Sequence, residues 1–61
     1  MLHTGLIDWI SERKGFGFIT PDAGGDDIYV NYSELDGLEE GQKVRFILSE
    51  GSQQALRVAA Y

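Results

Sequence analysis

Apolar and polar residues alternate along most of this chain, and turn residues cut the alternation at short intervals. A repeat of two is the mark of a half-buried strand. In 43–49, Val44, Phe46 and Leu48 share one face, while Lys43, Arg45 and Ile47 share the other. In 54–60, Leu56, Val58 and Ala60 oppose Ala55, Arg57 and Ala59. Turn signals fall at Ser11-Glu12-Arg13, Pro21-Asp22-Ala23-Gly24-Gly25, Asp36-Gly37, Glu40-Gly41 and Glu50-Gly51-Ser52. The pattern predicts strands at about 2–10, 15–20, 27–32, 43–49 and 54–60, with Val44, Phe46 and Val58 in the core. Short strands with evenly spaced turns make a small sandwich or barrel, an all-β fold. No segment keeps an apolar repeat of 3.6. The best helical candidate is the turn-length Ser33–Leu38, with Ser33 as its cap.

Strands two and three depart from the usual distribution. In Gly15-Phe16-Gly17-Phe18-Ile19, alternation places Phe16 and Phe18 on one face, and Gly15, Gly17 and Ile19 on the other. In Ile28-Tyr29-Val30-Asn31, the aliphatic Ile28 and Val30 share a face opposite Tyr29 and Asn31. Aliphatic side chains suit a dry interior, whereas a tyrosine and an asparagine suit a wet face. An F-x-F stripe is usually core. Burying Phe16 and Phe18 here, however, would leave Ile19 and the aliphatics of strand three in water, with two glycines as outer surface. If strands two and three pair, Phe16, Phe18 and Tyr29 form an exposed aromatic platform. Alternation alone groups Trp9 with Ile7, so Trp9 reaches the same face only through a bulge or a strong twist.

The chain has 61 residues, enough for one small domain over 1–61. Domains of this size bury only about 60% of the surface their unfolded chains expose. With no cysteine and a single histidine, His3, the chain has neither disulfides nor a cysteine-based zinc site to supplement its core. No nucleophile–base set is visible, so an enzyme is not expected, nor is a cofactor or a small-molecule substrate. His3 reads as a solvated terminal residue. Asp22, Asp26 and Asp27 do not follow the spacing of a calcium loop and read as a solvated turn, so no metal site is expected. No apolar run approaches the roughly 18 residues of a membrane span. Met1-Leu2-His3-Thr4-Gly5 lacks the features of a secretory leader, so a cytoplasmic protein is expected.

The net charge of −5 argues, taken alone, against a nucleic-acid partner. Its distribution changes that picture. Residues 22–42 hold Asp22, Asp26, Asp27, Glu34, Asp36, Glu39 and Glu40 without a single Lys or Arg. The acid is concentrated in mid-chain, and one surface is left free to be neutral or mildly basic.

The motifs resemble those of the bacterial cold-shock proteins. Lys14-Gly15-Phe16-Gly17-Phe18-Ile19 resembles their first ribonucleoprotein motif, and Ile28-Tyr29-Val30-Asn31-Tyr32 their second. Thr4-Gly5-Leu6-Ile7-Asp8-Trp9 is similar to their opening strand. Thr20-Pro21-Asp22, Glu39-Glu40-Gly41-Gln42-Lys43-Val44 and Ala55-Leu56-Arg57-Val58 follow in the family's order. The resemblance implies a five-stranded antiparallel OB barrel that binds single-stranded RNA or DNA. Carried over residue by residue, it implies stacking by Trp9, Phe16, Phe18, Tyr29 and Tyr32, with Asn31 hydrogen-bonding and Lys14 meeting phosphates. The chain departs from the family at Asp8, where a lysine is usual, at Ile10, where an aromatic is usual, and at Asn31, where a histidine is usual. The segment 33–41 is also shorter than usual and carries no aromatic.

Two readings follow. In the first, this is a monomeric single-strand-binding RNA chaperone or regulator of transcription or translation, with dimerisation left open. In the second, it is a degenerate cold-shock fold that acts through protein contacts. The aromatics favour the first; Asp8, Asn31, the short segment and the net charge favour the second.

Overall fold

The computed structural model describes residues 2–51 and 53–61. Met1, in the amino-terminal segment read above as leaderless, and Ser52, in the last predicted turn, lie outside them. The described residues form β1 (Leu2–Ser11), β2 (Phe16–Pro21), β3 (Ile28–Asn31), β4 (Lys43–Leu48) and β5 (Gln54–Ala60). Each strand coincides with an alternating run, to within a residue or two. They close into a barrel of order β1-β2-β3-β5-β4.

The closure corrects one expectation, since the barrel is not antiparallel throughout. β3 and β5 run parallel, with Tyr29 level with Gln54 and Val30 level with Ala55, whereas the remaining neighbours are antiparallel. The reason is one of parity. Strand direction cannot alternate all the way round a ring with an odd number of members, so a closed five-stranded barrel must contain a parallel pair. Here that pair is the shortest one.

Two bulges control which residues face inward. Across β1 and β2, Ile7 pairs with Ile19 and Trp9 with Phe18, so Asp8 is the extra residue of a bulge. Across β4 and β5, Arg45 pairs with Ala59 and Ile47 with Leu56, so Arg57 and Val58 together face Phe46. Arg57 adopts a left-handed conformation, φ 53°. The second bulge corrects the reading of strand five as a plain alternating stave. Ala55 is fully buried, and Val58, three residues on, is half-buried against the core.

The interior is filled by Ile7, Ile19, Val30, Leu35, Val44, Phe46 and Ala55, with Ile10, Ile28, Leu38, Leu48 and Val58 packed around them. His3 is not a freely solvated terminal residue: half-buried, it stacks on Phe46 at 5.7 Å between ring centroids. The predicted helical turn is a single 3₁₀ turn, Tyr32–Leu35, whose Leu35 plugs one end of the barrel. Ser33 lies inside this turn and does not cap it; Asn31 holds the cap position without a side-chain hydrogen bond. Asp22 is more than a solvated turn residue. Its carboxylate accepts from the Thr4 hydroxyl at 2.8 Å and pairs with the Lys43 ammonium at 2.7 Å, tying β1 to the ends of β2 and β4.

Candidate nucleic-acid interface

The outward faces of β1, β2 and β3 carry one continuous group of rings, and local backbone rules explain why they face outward. On β2, Ile19 is fully buried, so its neighbours in the alternation, Phe18 and then Phe16, must point away from the core. On β3, Val30 is fully buried, and Tyr29 and Asn31 point out. Antiparallel register sets Phe16 level with Asn31 and Phe18 level with Tyr29. β1 would send Trp9 inward with Ile7, but the extra residue Asp8 reverses the parity. Ile7 stays at 1% exposure while Trp9 rises to 37%, and Ile10 turns back against the core.

Gly17 makes this possible. A side chain there would point into the barrel and collide with the Trp9 carbonyl oxygen, and it would lie 3.0 Å from Leu35 Cδ1 and 3.3 Å from Ile10 Cα. The backbone of β1 approaches β2 closely at the bulge because residue 17 has no Cβ. The other flank of the bulge is braced by the segment before β4. The Gly41 N–H donates to the Ile7 carbonyl at 2.7 Å, and the Ile7 N–H to the Gln42 carbonyl at 3.0 Å. The Ile10 N–H donates to Glu40 Oε2 at 2.9 Å. Glu40, read from sequence as part of a turn face, therefore holds β1 just beyond Trp9. Its spacing in the sequence carried no such signal, because its partner lies 30 residues away.

The four rings touch in sequence. Trp9 lies 5.5 Å from Phe16 and 6.1 Å from Phe18, centroid to centroid. Phe16 and Phe18 meet edge to face at 5.7 Å. Tyr29 stacks on Phe16 at 5.3 Å and meets Phe18 edge-on at 6.2 Å. Phe16 and Phe18 are half-buried by their neighbours, and Tyr29 is 37% exposed. The Tyr29 hydroxyl donates to Asn31 Oδ1 at 3.0 Å, a contact that sequence reading did not foresee. This bond orients the amide, and among the described residues its NH₂ group has no hydrogen-bond partner.

Tyr32 stands apart from this group. It is half-buried at the start of the 3₁₀ turn, and among the described residues no ring contact joins it to the four. Its N–H donates to the Gly15 carbonyl at 2.9 Å, which anchors the β1–β2 turn. That turn presents Arg13 and Lys14 in solvent beside Phe16, and its last residue, Gly15, has φ 86°, which glycine adopts readily. Asp8 is exposed next to Trp9. A groove of about 280 Å³ lies elsewhere, lined in part by His3, Asp26, Asp27, Ile28 and Leu48. It shares no residue with the rings, and a stacking surface is a face, not a hole.

A small closed barrel with an aromatic outer face over β1–β3 and cations at its margin belongs to the OB-like class of β-barrels. The comparisons with known proteins agree and are more specific. Residues 3–60 match the model of the 'Cold-shock' DNA-binding domain, and the chain belongs to this family. Its members are non-enzymatic nucleic-acid-binding proteins. The chain is 50% identical to the cold shock-like protein CspG of Shewanella violacea, over 93% of this chain and 91% of that one. It is 46% identical to the cold shock protein CapA of Pseudomonas fragi, over 84% of this chain and 88% of that one. Among solved structures, drosophila Unr CSD456 superposes over the whole chain with a TM-score of 0.84, covering 27% of that protein at 24% identity. This last likeness concerns the fold.

Proposed function

We propose that this protein binds single-stranded RNA or DNA by stacking bases on Trp9, Phe16, Phe18 and Tyr29. Asn31 offers a hydrogen-bond donor to a base edge, Lys14 meets the phosphates, and Tyr32 stacks at the margin or only supports the β1–β2 turn. The protein would act as a monomer in the cytoplasm, as an RNA chaperone or a regulator of transcription or translation. One observation carries the reading: Trp9, Phe16, Phe18 and Tyr29 form one contiguous group of rings on an outer face of the barrel, whose interior is built from other side chains. Rings left at the surface in contact with one another are unexplained by folding and suited to stacking. Every base has a π-face, so such a surface accepts single strands with little demand on sequence, at ~1–3 kcal/mol per stacked base. Duplexes hide those faces.

The test is a titration with oligothymidine, following Trp9 fluorescence at several salt concentrations. With Lys14, Arg13 and one further cation, about 2–3 phosphates are neutralised, so log affinity should fall with log salt at a slope of about −1.4 to −2.1. Phe18→Ala should weaken binding by ~1–3 kcal/mol while the barrel stays folded. Exposed Asp8 beside Trp9 favours the second reading, a degenerate cold-shock fold with little nucleic-acid affinity whose acidic surface serves protein contacts. Absence of binding at high micromolar concentration would support that one instead.

A further inference from the structure

Arg57 is an unusual residue for its position. It sits at the β5 bulge with φ 53°, a conformation that glycine and asparagine accept readily and other residues adopt at a cost. Its side chain gives nothing back to the fold. It is exposed, and among the described residues it makes no ion pair and no side-chain hydrogen bond. The nearby Glu34 carboxylate is engaged instead by the Val58 N–H, at 3.4 Å. The bulge itself serves the core, but nothing in the fold requires an arginine there in place of asparagine or glycine, and that choice points to a use outside the fold.

The barrel's closure shows where that use lies. β5 is the neighbour of β3, with Tyr29 level with Gln54 and Val30 level with Ala55. Val30 and Ala55 both point inward, so the next residues, Asn31 and Leu56, share the outward face. Simple alternation would then turn Arg57 inward; the left-handed bulge keeps it in solvent and sends Val58 to the core instead. Arg57 therefore lies at the end of the aromatic face where β3 stops. The same end carries Lys14. The Tyr32 N–H holds the Gly15 carbonyl at 2.9 Å, and Glu34, two residues further on, holds the Val58 N–H. Arg13 and Lys14 on one flank and Arg57 on the other thus bracket one margin of the rings.

We infer that Arg57 is a second phosphate-binding residue of this interface, placed across the 3₁₀ turn from Lys14 so that a single strand lying on the rings leaves between two cations. The inference rests on the stacking reading above, and the experiment separates the two. Oligothymidine is titrated against the native chain, Arg57→Asn, Arg57→Lys and Arg45→Gln over a tenfold range of salt, following Trp9 fluorescence. Asparagine tolerates the left-handed bulge, so Arg57→Asn should keep or raise the melting temperature. Its salt slope should become shallower by ~0.7, the increment for one phosphate on a single strand, so that native affinity falls about fivefold more than the variant's across the range. Arg57→Lys should keep the native slope. Arg45 is exposed on β4, away from the rings, and Arg45→Gln should leave the slope unchanged. Binding by the native chain with an Arg57→Asn slope equal to native overturns the assignment of Arg57 and leaves the stacking reading standing. No binding by the native chain overturns both. Should the asparagine variant fail to fold, the Arg57 Nε–Hε resonance of the native protein decides: a shift on adding oligothymidine supports the contact, and an unmoved resonance overturns it.

Discussion

The bulges at Asp8 and at Arg57 are the same device with opposite results. Each inserts one residue into a strand and reverses the in–out parity beyond it. At Asp8 the reversal takes the large ring of Trp9 out of the core sequence and sets it beside Phe16 and Phe18. At Arg57 the reversal works for the interior: it lets Ala55 and Val58, three residues apart, both face Phe46 and its neighbours. The first bulge is held by a missing side chain at Gly17 and by three hydrogen bonds from the segment before β4. The second is held by a left-handed arginine. One strand irregularity therefore builds a surface, and the other completes a core.

Mutation should separate the two. Phe46 is the residue that faces the β5 bulge, and it is fully buried. Phe46→Ala should cost ~3–5 kcal/mol, comparable to the ~3–5 kcal/mol that a core of this size supplies. Circular dichroism at room temperature should therefore show a largely unfolded chain.

Gly17→Ala attacks the other bulge. The added methyl group meets the Trp9 carbonyl, which is backbone and cannot swing aside. A loss of ~1–3 kcal/mol is expected from overpacking, together with a change in Trp9 fluorescence as the ring shifts. A stable Gly17→Ala variant with native Trp9 emission would mean that the close approach of β1 to β2 does not hold the bulge.

Asp8→Lys leaves the bulge in place and reverses the charge of the extra residue. It should tighten oligothymidine binding and steepen the salt slope by up to ~0.7. An unchanged affinity in a native chain that does bind would place the phosphate path away from β1.

The smallest effect concerns the frame on which both bulges depend, the pairing of β1 with β4. The Lys43 ammonium, and then the Thr4 hydroxyl, hold the Asp22 carboxyl below its ordinary range. A carboxylate with a lowered folded pKa adds stability that is present above its unfolded value and is lost as pH falls through the folded one. Asp22→Asn should therefore lower the melting temperature slightly at neutral pH and leave it near native at low pH, which flattens the acid side of a plot of melting temperature against pH. An acid limb as steep as native would show that the ion pair adds nothing to stability.

The sequence resolved those features that depend on neighbours two residues apart. Ile19 against Phe18, and Val30 against Tyr29, are local contrasts, and they were enough to place the aromatic face of β2 and β3 outward. Strand parity is also local, but it is a running count, and one inserted residue corrupts everything beyond it. For Trp9 the conflict was visible, because a tryptophan grouped with Ile7 sat badly with the face it resembled. For Ala55 there was no conflict to notice, since alanine fits either side. Glu40 and the β3–β5 pairing depend on partners far along the chain, and no spacing within a strand encodes them.

The odd strand number has a further consequence, for the time before the ring exists. β5 is synthesised after the other four strands of the barrel, and it is also the one that joins β3 to β4. Until it arrives, the earlier strands can form only an open sheet, β4-β1-β2-β3, with two unpaired edges. An unpaired edge is a template for another chain. The hazard of aggregation thus lasts until β5 docks and closes the ring. A chain cut short before Gln54 would remain in that state permanently, with its aromatic face intact and its sheet open at both sides.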